Sequence, residues 1–349
     1  MDSAGDHLSA RAAGSKAEAS LRTWGRLGIA AALACALTLP FAVSGYRIYQ
    51  FSQVLTYAIA LLGLNLLTGY NGQISLGHGA FFAIGGYTTA ILVVKLGVPS
   101  WATIPVAGIV CFVAGFLFGF PALRLGGIYL ALATFALALA TPQLLKFKAV
   151  DEWTGGVQGL LLSKPKVPFG LPLTRDQWLY FVCLACTALL FWAAANLVRG
   201  RIGRAMVAIR EHPVAAEAMG IDIAFYKTMT FGVSALYTGI AGALSGMVAG
   251  VVAPDSFGFF LSLSFLVGIV VGGLASIWGV IVGALFIEFV PIYADRIASL
   301  LGEGAKALPW AIYGVLLIGL MYMMPAGAAG AVKAVVRRLG RLTAGSRSG

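Results

Sequence analysis

Between Thr68 and Tyr87 the chain reads TGYNGQISLGHGAFFAIGGY. Asn71, Gln73, Ser75 and His78 stand there among glycines, Gly77 and Gly79 included, inside an otherwise apolar run. These side chains offer neutral hydrogen bonds and one imidazole. Catalysis would need a nucleophile, a base and an orienting group within mutual reach. The other histidines, His7 and His212, lie outside the apolar runs, so an intramembrane enzyme has only His78 to work with. A wet, neutral passage fits better. Polar groups in hydrocarbon cost several kcal/mol unless paired, and Gly and Asn accept the left-handed backbone that a broken helix requires. A break is therefore expected over residues 71–79, beside a route for solute. His78 has two readings: a structural histidine bonded to a neighbouring helix, or a residue of that route. Asn65 and Glu288, polar in apolar surroundings, carry the same alternatives of function or packing.

Other reactive residues lead to little chemistry. Cys183 and Cys186 form a CxxC that puts both thiols on one helix face. A metal would want further Cys or His nearby, so small apolar packing residues are expected and no metal site. No GxxxxGK[ST] occurs, so no P-loop binds nucleotide on this chain.

The elements that hold these residues are read from composition. Of 349 residues, 60% are hydrophobic and 11% charged, against about 25% charged in soluble domains. Apolar runs long enough to cross a bilayer fall at about 25–44, 48–69, 74–96, 101–120, 126–147, 178–198, 228–252, 259–275, 276–293 and 309–326. The expectation is an all-α polytopic membrane protein of about ten transmembrane helices, at least one of them broken. The stretch 259–293 reads as two short spans or as one span with a re-entrant segment. Residues 294–308 read as an amphipathic interfacial segment that does not span.

The net charge of +11 gathers in the N-terminal tail, in residues 199–227 and in the C-terminal tail. That is the positive-inside pattern with both termini cytoplasmic, in contact with membrane lipid, and it does not call for nucleic acid. A disordered tail over 1–22, a membrane domain over 23–327 and a basic tail over 328–349 follow. Residues 148–177, with WTGGVQGL and three prolines, suit an extracytoplasmic loop.

Residues 199–227 read as a cytoplasmic docking surface. Pro213 suits a first helical turn, Gly220 the position after the last, and VAAEAM between them is strongly helix-forming. A short helix is expected over 213–219, with Arg204, Arg210, Glu211 and Glu217 as its polar edges. Elsewhere glycines recur four apart: Gly242, Gly246 and Gly250; Gly279 and Gly283; Gly268 and Gly272; Gly115 and Gly119. Such faces let helices approach closely in lipid, either within one subunit or between subunits.

Here a resemblance enters. RIGRAMVAIREHPVAAEAMGI resembles the cytoplasmic coupling loop of permease subunits in branched-chain amino acid ABC importers, and LTGYNGQISLGHGAFFAIGGY resembles that family's most recognisable block. LRLGGIYLALATFALA, WTGGVQGL and VGGLASIWGVIVGA agree in order and position over residues 50–325, closest to the second, larger permease type. The resemblance implies a heterodimer with a paralogous permease, two cytosolic ATPase subunits that carry the ATP, an extracytoplasmic solute-binding protein and a bacterial inner-membrane location. Ala215, Ala216 and Gly220 match the small-residue pattern of the coupling loop, Arg210 and Glu217 its polar edge. Two departures touch the route: Gly79 stands where many relatives have Ala, and 129–141 lacks an acidic residue that some relatives carry.

An ion-coupled secondary transporter is the alternative. That class buries paired charges, and here the spans hold Glu288 and a few edge residues such as Lys95. The neutral lining suits an apolar zwitterion such as leucine, isoleucine or valine; urea, short amides and aromatic acids remain alternatives within the same machinery.

Overall fold

The computed structural model describes residues 34–123, 127–170, 172–300, 308–324 and 327–331. Its contacts divide the chain after Ile48. In the first unit residues 34–42 are helical, and the Thr38 hydroxyl donates back to the Ala34 carbonyl at 3.1 Å. The tail expected over 1–22 lies outside the described residues.

The second unit is helical nearly throughout. Its elements are α1 (Gly45–Leu64, begun in the first unit), α2 (His78–Val94), α3 (Ser100–Ala122), α4 (Ile128–Leu145), α5 (Arg175–Arg199), α6 (Arg201–Glu211), α7 (Pro213–Ala218), α8 (Ile223–Ala249), α9 (Phe259–Gly272), α10 (Gly279–Leu300) and α11 (Leu308–Met323). Two strands of two residues, β1 (Leu160–Leu161) and β2 (Val251–Val252), pair antiparallel with Leu160 opposite Val252.

Among the described residues seven stretches are long and apolar enough to cross a bilayer, where ten were expected. The stretch at 74–96 shortens to the 17-residue α2, because residues 71–77 leave the helix. The one at 276–293 falls in α10, which also carries Glu288, Asp295 and Arg296. The one at 25–44 lies mostly outside the described residues. Residues 259–293 form two helices, α9 and α10. Residues 294–300, expected as a separate interfacial segment, continue α10.

Two spans form the centre. Within an 18-residue apolar window, 78% of the Gly45–Tyr70 stretch and 83% of α8 is buried, against 28–39% for Ser100–Pro121, Ile128–Leu145, Arg175–Arg199 and Pro254–Gly272. A bilayer gives no hydrophobic drive for helices to associate, so the centre is built from small residues and internal hydrogen bonds. On α8, a Cβ at Gly239 would stand 2.5 Å from Cys111 Cβ on α3, and one at Gly242 would overlap the Phe82 carbonyl of α2. A Cβ at Gly246 would stand 2.8 Å from Val252 Cγ2, and Gly250, at φ 73°, ends the helix. A Cβ at Gly115 would overlap Ala235, and one at Gly119 would meet Thr228 Cγ2 at 3.0 Å. Between α9 and α10, Gly283 abuts the Gly268 carbonyl and Gly279 the Gly272 carbonyl. Gly115, Gly119, Gly239, Gly242, Gly268, Gly272, Gly279 and Gly283 thus sit at close helix approaches within this chain. Polar pairing adds to the centre: the Ser245 hydroxyl of α8 donates to Gln53 Oε1 of α1 at 3.0 Å, as does Thr56 at 3.0 Å.

Candidate functional site

The first span does not end as an α-helix. Residues Asn65–Tyr70 wind as a π-helix, then Asn71 to Gly77 run without regular structure to the start of α2. π-segments are uncommon and cluster at functional sites. Gly72, at φ 77°, makes the turn.

The polar residues of this break are buried, Asn71 2%, Gln73 7%, Ser75 0% and His78 1% exposed. Their partners are specific. Ser234 of α8 donates to the Gly63 carbonyl of α1 at 2.6 Å. A hydroxyl has one proton, so the 2.7 Å contact between His78 Nε2 and Ser234 Oγ has the imidazole as donor. His78 Nδ1 is then the acceptor, and Ser75 Oγ, 3.0 Å away, donates to it. The hydroxyl of Ser75 also accepts from Gly77 N at 3.3 Å. This assignment follows from the network and describes a neutral histidine with both nitrogens engaged. It joins α1, α2 and α8 at one point.

The neighbours are tied as closely. Leu76 N donates to Thr134 Oγ1 of α4 at 2.9 Å, and a Cβ at Gly77 would stand 2.9 Å from the Thr134 carbonyl. Gly79 N donates to Ser262 Oγ of α9 at 2.9 Å. Gln73 Nε2 donates to Asn71 Oδ1 at 2.8 Å and to the Lys227 carbonyl of α8 at 3.1 Å. Asn71 Nδ2 has no partner among the described residues. Asn71, Gly72, Gln73 and Ile74 line a cavity of about 140 Å³ with Ile209, Arg210, Pro213 and Lys227. The break therefore adjoins the 199–227 segment, a relation that no sequence spacing displays. Asn65 turns away from this cavity, toward the α9–α10 turn: its Oδ1 accepts from Ala275 N at 3.0 Å and its Nδ2 donates to the Ser276 carbonyl at 3.0 Å.

The segment 199–227 is more ordered than expected. Only residues 213–219 were expected to be helical, but α5 runs to Arg199, α6 occupies Arg201–Glu211 and α8 begins at Ile223. The signal for α6 was present: Gly203, Ala205, Met206 and Ile209 make its buried stripe, at helical spacing. The short helix α7, Pro213–Ala218, has Pro213 in its first turn, and Gly220 follows its end at φ 81°. Asp222 caps α8 by accepting from Phe225 N at 2.9 Å.

The expected docking residues divide. Ala215, Glu217 and Gly220 are exposed, but Ala216 is buried at 4%. Arg204 Nη1 donates to the Arg199 carbonyl at 3.3 Å. Arg210 is exposed, yet its Nη1 donates to the Gly69 carbonyl of the π-helix, and its Nη2 lies 3.6 Å from Glu211 Oε1. Two residues unmarked in the sequence stand out: Val214, in the first turn of α7, is 82% exposed, and Met219, just after its last residue, is 83% exposed. On the loop side, Trp153, Val157 and Leu161 are exposed, Lys146 pairs with Asp255 at 2.5 Å, and Lys164 with Asp176 at 2.5 Å. Cys183 is buried and Cys186 half-buried, both as free thiols. Among the described residues no group of three His, Cys, Asp or Glu is placed to hold a metal.

The family described as branched-chain amino acid transport system / permease component matches residues 46–325. The high-affinity branched-chain amino acid transport system permease protein LivM of Salmonella typhimurium is 34% identical over 285 residues, covering 75% of this chain and 67% of that protein. LivM of Escherichia coli K12 gives the same figures, 34% over 285 residues. The permease protein LivH of Escherichia coli K12 is 25% identical over 291 residues, covering 79% of this chain and 91% of that protein. No solved structure matches.

Proposed function

The chain belongs to the branched-chain amino acid transport system permease family, as a transport permease subunit of an ABC system and not an enzyme, and on that premise we propose how it works. The α6–α7 unit is the cytoplasmic surface on which a separate ATPase docks. The observation that carries this is the pair of exposed apolar side chains, Val214 on α7 and Met219 at its C-terminal end, flanking a helix whose inner residue Ala216 is buried. Exposed apolar anchors beside a charged rim, here Glu211, Glu217 and Asp222, are the usual content of a protein docking site. ATP is then hydrolysed on the partner.

The substrate is a branched-chain amino acid taken as a zwitterion. It passes beside the break formed by Asn65, Asn71, Gln73, Ser75, Gly77, His78 and Gly79, whose side chains are all neutral when His78 is unprotonated. A zwitterion carries both charges itself and needs hydrogen bonds more than a counter-charge. LivM and LivH of Escherichia coli K12 are both named permease proteins of a high-affinity branched-chain amino acid transport system, and the chain's similarity to both supports a heterodimer with a paralogous permease. Two cytosolic ATPases and an extracytoplasmic solute-binding protein complete the importer. On this reading residues 23–327 are the permease domain of a bacterial inner-membrane protein with ten spans. Both termini and 199–227 are then cytoplasmic, and residues 148–177 are outside.

The test is uptake of labelled leucine into proteoliposomes that contain the full complex. Leucine is expected to enter and to be displaced by isoleucine and valine. Uptake of urea with no entry or competition by leucine would overturn the substrate while leaving the permease.

A further inference from the structure

One bond joins the π-helical end of the first span to α6. A helix end leaves its last carbonyls without intrahelical partners. Here Leu66 O accepts from Asn71 N at 3.2 Å and Leu67 O from Gln73 N at 3.1 Å. The Gly69 carbonyl is taken by Nη1 of Arg210. Gly72 gives the arginine its path, since a Cβ there would stand 3.0 Å from Arg210 Cγ.

On its other side Gly69 is covered by Asn65. A Cβ at Gly69 would overlap Asn65 Oδ1 and lie 2.6 Å from Ala275 N. The same Asn65 carboxamide accepts from Ala275 N and donates to the Ser276 carbonyl, both at 3.0 Å. Ala275 has φ 56°, the one non-glycine with positive φ among the described residues, a conformation disfavoured by its Cβ. Contacts thus run without a gap from Arg210 through Gly69 and Asn65 to the turn between α9 and α10.

We propose that Arg210 is a positioning residue of transport: through Gly69 and Asn65 it makes the place of α6 set the conformation of the α9–α10 turn. The proposal rests on the reading of α6–α7 as the ATPase docking unit. When the ATPase draws α6 away, the Gly69 carbonyl loses its donor. The backbone holds a replacement. In an ordinary i→i+4 register Gly69 O accepts from Gln73 N, which now serves Leu67 O. The π-segment therefore has two hydrogen-bonded states, and Arg210 selects the one shown. Its rewinding moves Asn65, and with it the brace that holds Ala275 left-handed. A relay between sites needs such a two-state element that both sites bias.

A merely anchoring arginine would affect assembly alone, so the readout is coupling. The complete importer, with its permease partner, ATPases and binding protein, is reconstituted with Arg210→Gln, Arg210→Lys or Asn65→Ala. ATP hydrolysed per leucine transported is measured beside co-purification of the ATPase. Arg210→Gln is expected to keep the ATPase and to raise ATP per leucine at least about 5-fold, the lower end of ordinary coupling between two sites. Arg210→Lys, which keeps a cationic donor, restores part of the ratio. Asn65→Ala, at the far end of the contact chain, gives the same rise, and it decides the question where Arg210→Gln lowers the yield of complex. An unchanged ratio in Asn65→Ala, or in assembled Arg210→Gln, overturns the relay and leaves the docking surface standing. Retention of the ATPase by Val214→Asp/Met219→Asp overturns the docking surface, and the relay with it.

Discussion

Ser262 Oγ lies 2.9 Å from the amide of Gly79 and would lie only 2.5 Å from a Cβ built on that residue. The hydroxyl thus fills the space that an alanine would need. Gly79→Ala is expected to destabilise the folded chain by about 1–3 kcal/mol, the usual cost of an added methyl in a tight interior. In a double-mutant cycle of thermal unfolding in detergent, Ser262→Ala should recover part of that loss. Strict additivity of the two changes would refute the contact.

His78→Phe should cost about 1–3 kcal/mol, because a buried polar group left unpaired bears its full desolvation penalty. The penalty falls on Ser75 more than on Ser234, since Ser234 keeps the Gly63 carbonyl as its acceptor. Adding Ser75→Ala to His78→Phe should therefore recover part of the loss, less the cost of freeing Gly77 N from its 3.3 Å bond to Ser75 Oγ, whereas adding Ser234→Ala should recover none. The reverse order, measured by the same unfolding assay, would show that the assigned tautomer is wrong.

Docking gives a graded expectation. Val214→Asp and Met219→Asp each remove an exposed apolar side chain whose burial on a partner stabilises by about 1.5–3 kcal/mol. Each should weaken ATPase binding roughly 10- to 100-fold. Glu217→Arg, at the rim, should act mainly on the association rate and its salt dependence. Titration of labelled ATPase onto permease in nanodiscs separates the two behaviours. Equal losses at all three positions would argue for a uniformly polar interface instead.

The ion pairs on the loop side should matter little. Lys146 meets Asp255 at 2.5 Å, but the carboxylate is 70% exposed. Surface pairs typically contribute about 0–1 kcal/mol. Lys146→Met should leave the unfolding midpoint nearly where it was, and a large drop would mean that the pair is buried in the assembled importer.

Local features were legible in the sequence, and long-range pairings were not. Pro213 and Gly220 bracket α7 within one residue of its expected end, because caps act through neighbouring backbone. The departure from helix after Tyr70 was readable from Asn71 and Gly72. The π-winding of Asn65–Tyr70 was not, since one extra residue in a turn leaves no mark on an apolar pattern. Helix α6 was hidden by its arginines, although Met206 and Ile209 already spelled its buried stripe. Arg210 is exposed, as a charged edge residue is expected to be, but its bond to the Gly69 carbonyl joins residues far apart in sequence and has no sequence signal. Ser234 and Ser262 carry no signal in the sequence, because a serine in a span becomes informative only when its partner is known.

The burial of α1 against α8 has a consequence for how the protein is made. Gln53 finds Ser245, and Gly63 finds Ser234, only across the centre of the folded chain. At ordinary rates of synthesis roughly 10–30 s separate the emergence of Leu64 from that of Ile223. Through that interval the oldest central helix waits in the membrane with its glutamine and its backbone carbonyl unmatched by their final partner. Biogenesis therefore has a vulnerable window set by chain order. A ribosome stalled before α8 leaves a product whose most polar span faces lipid or an insertion factor, and quality control has that face to recognise.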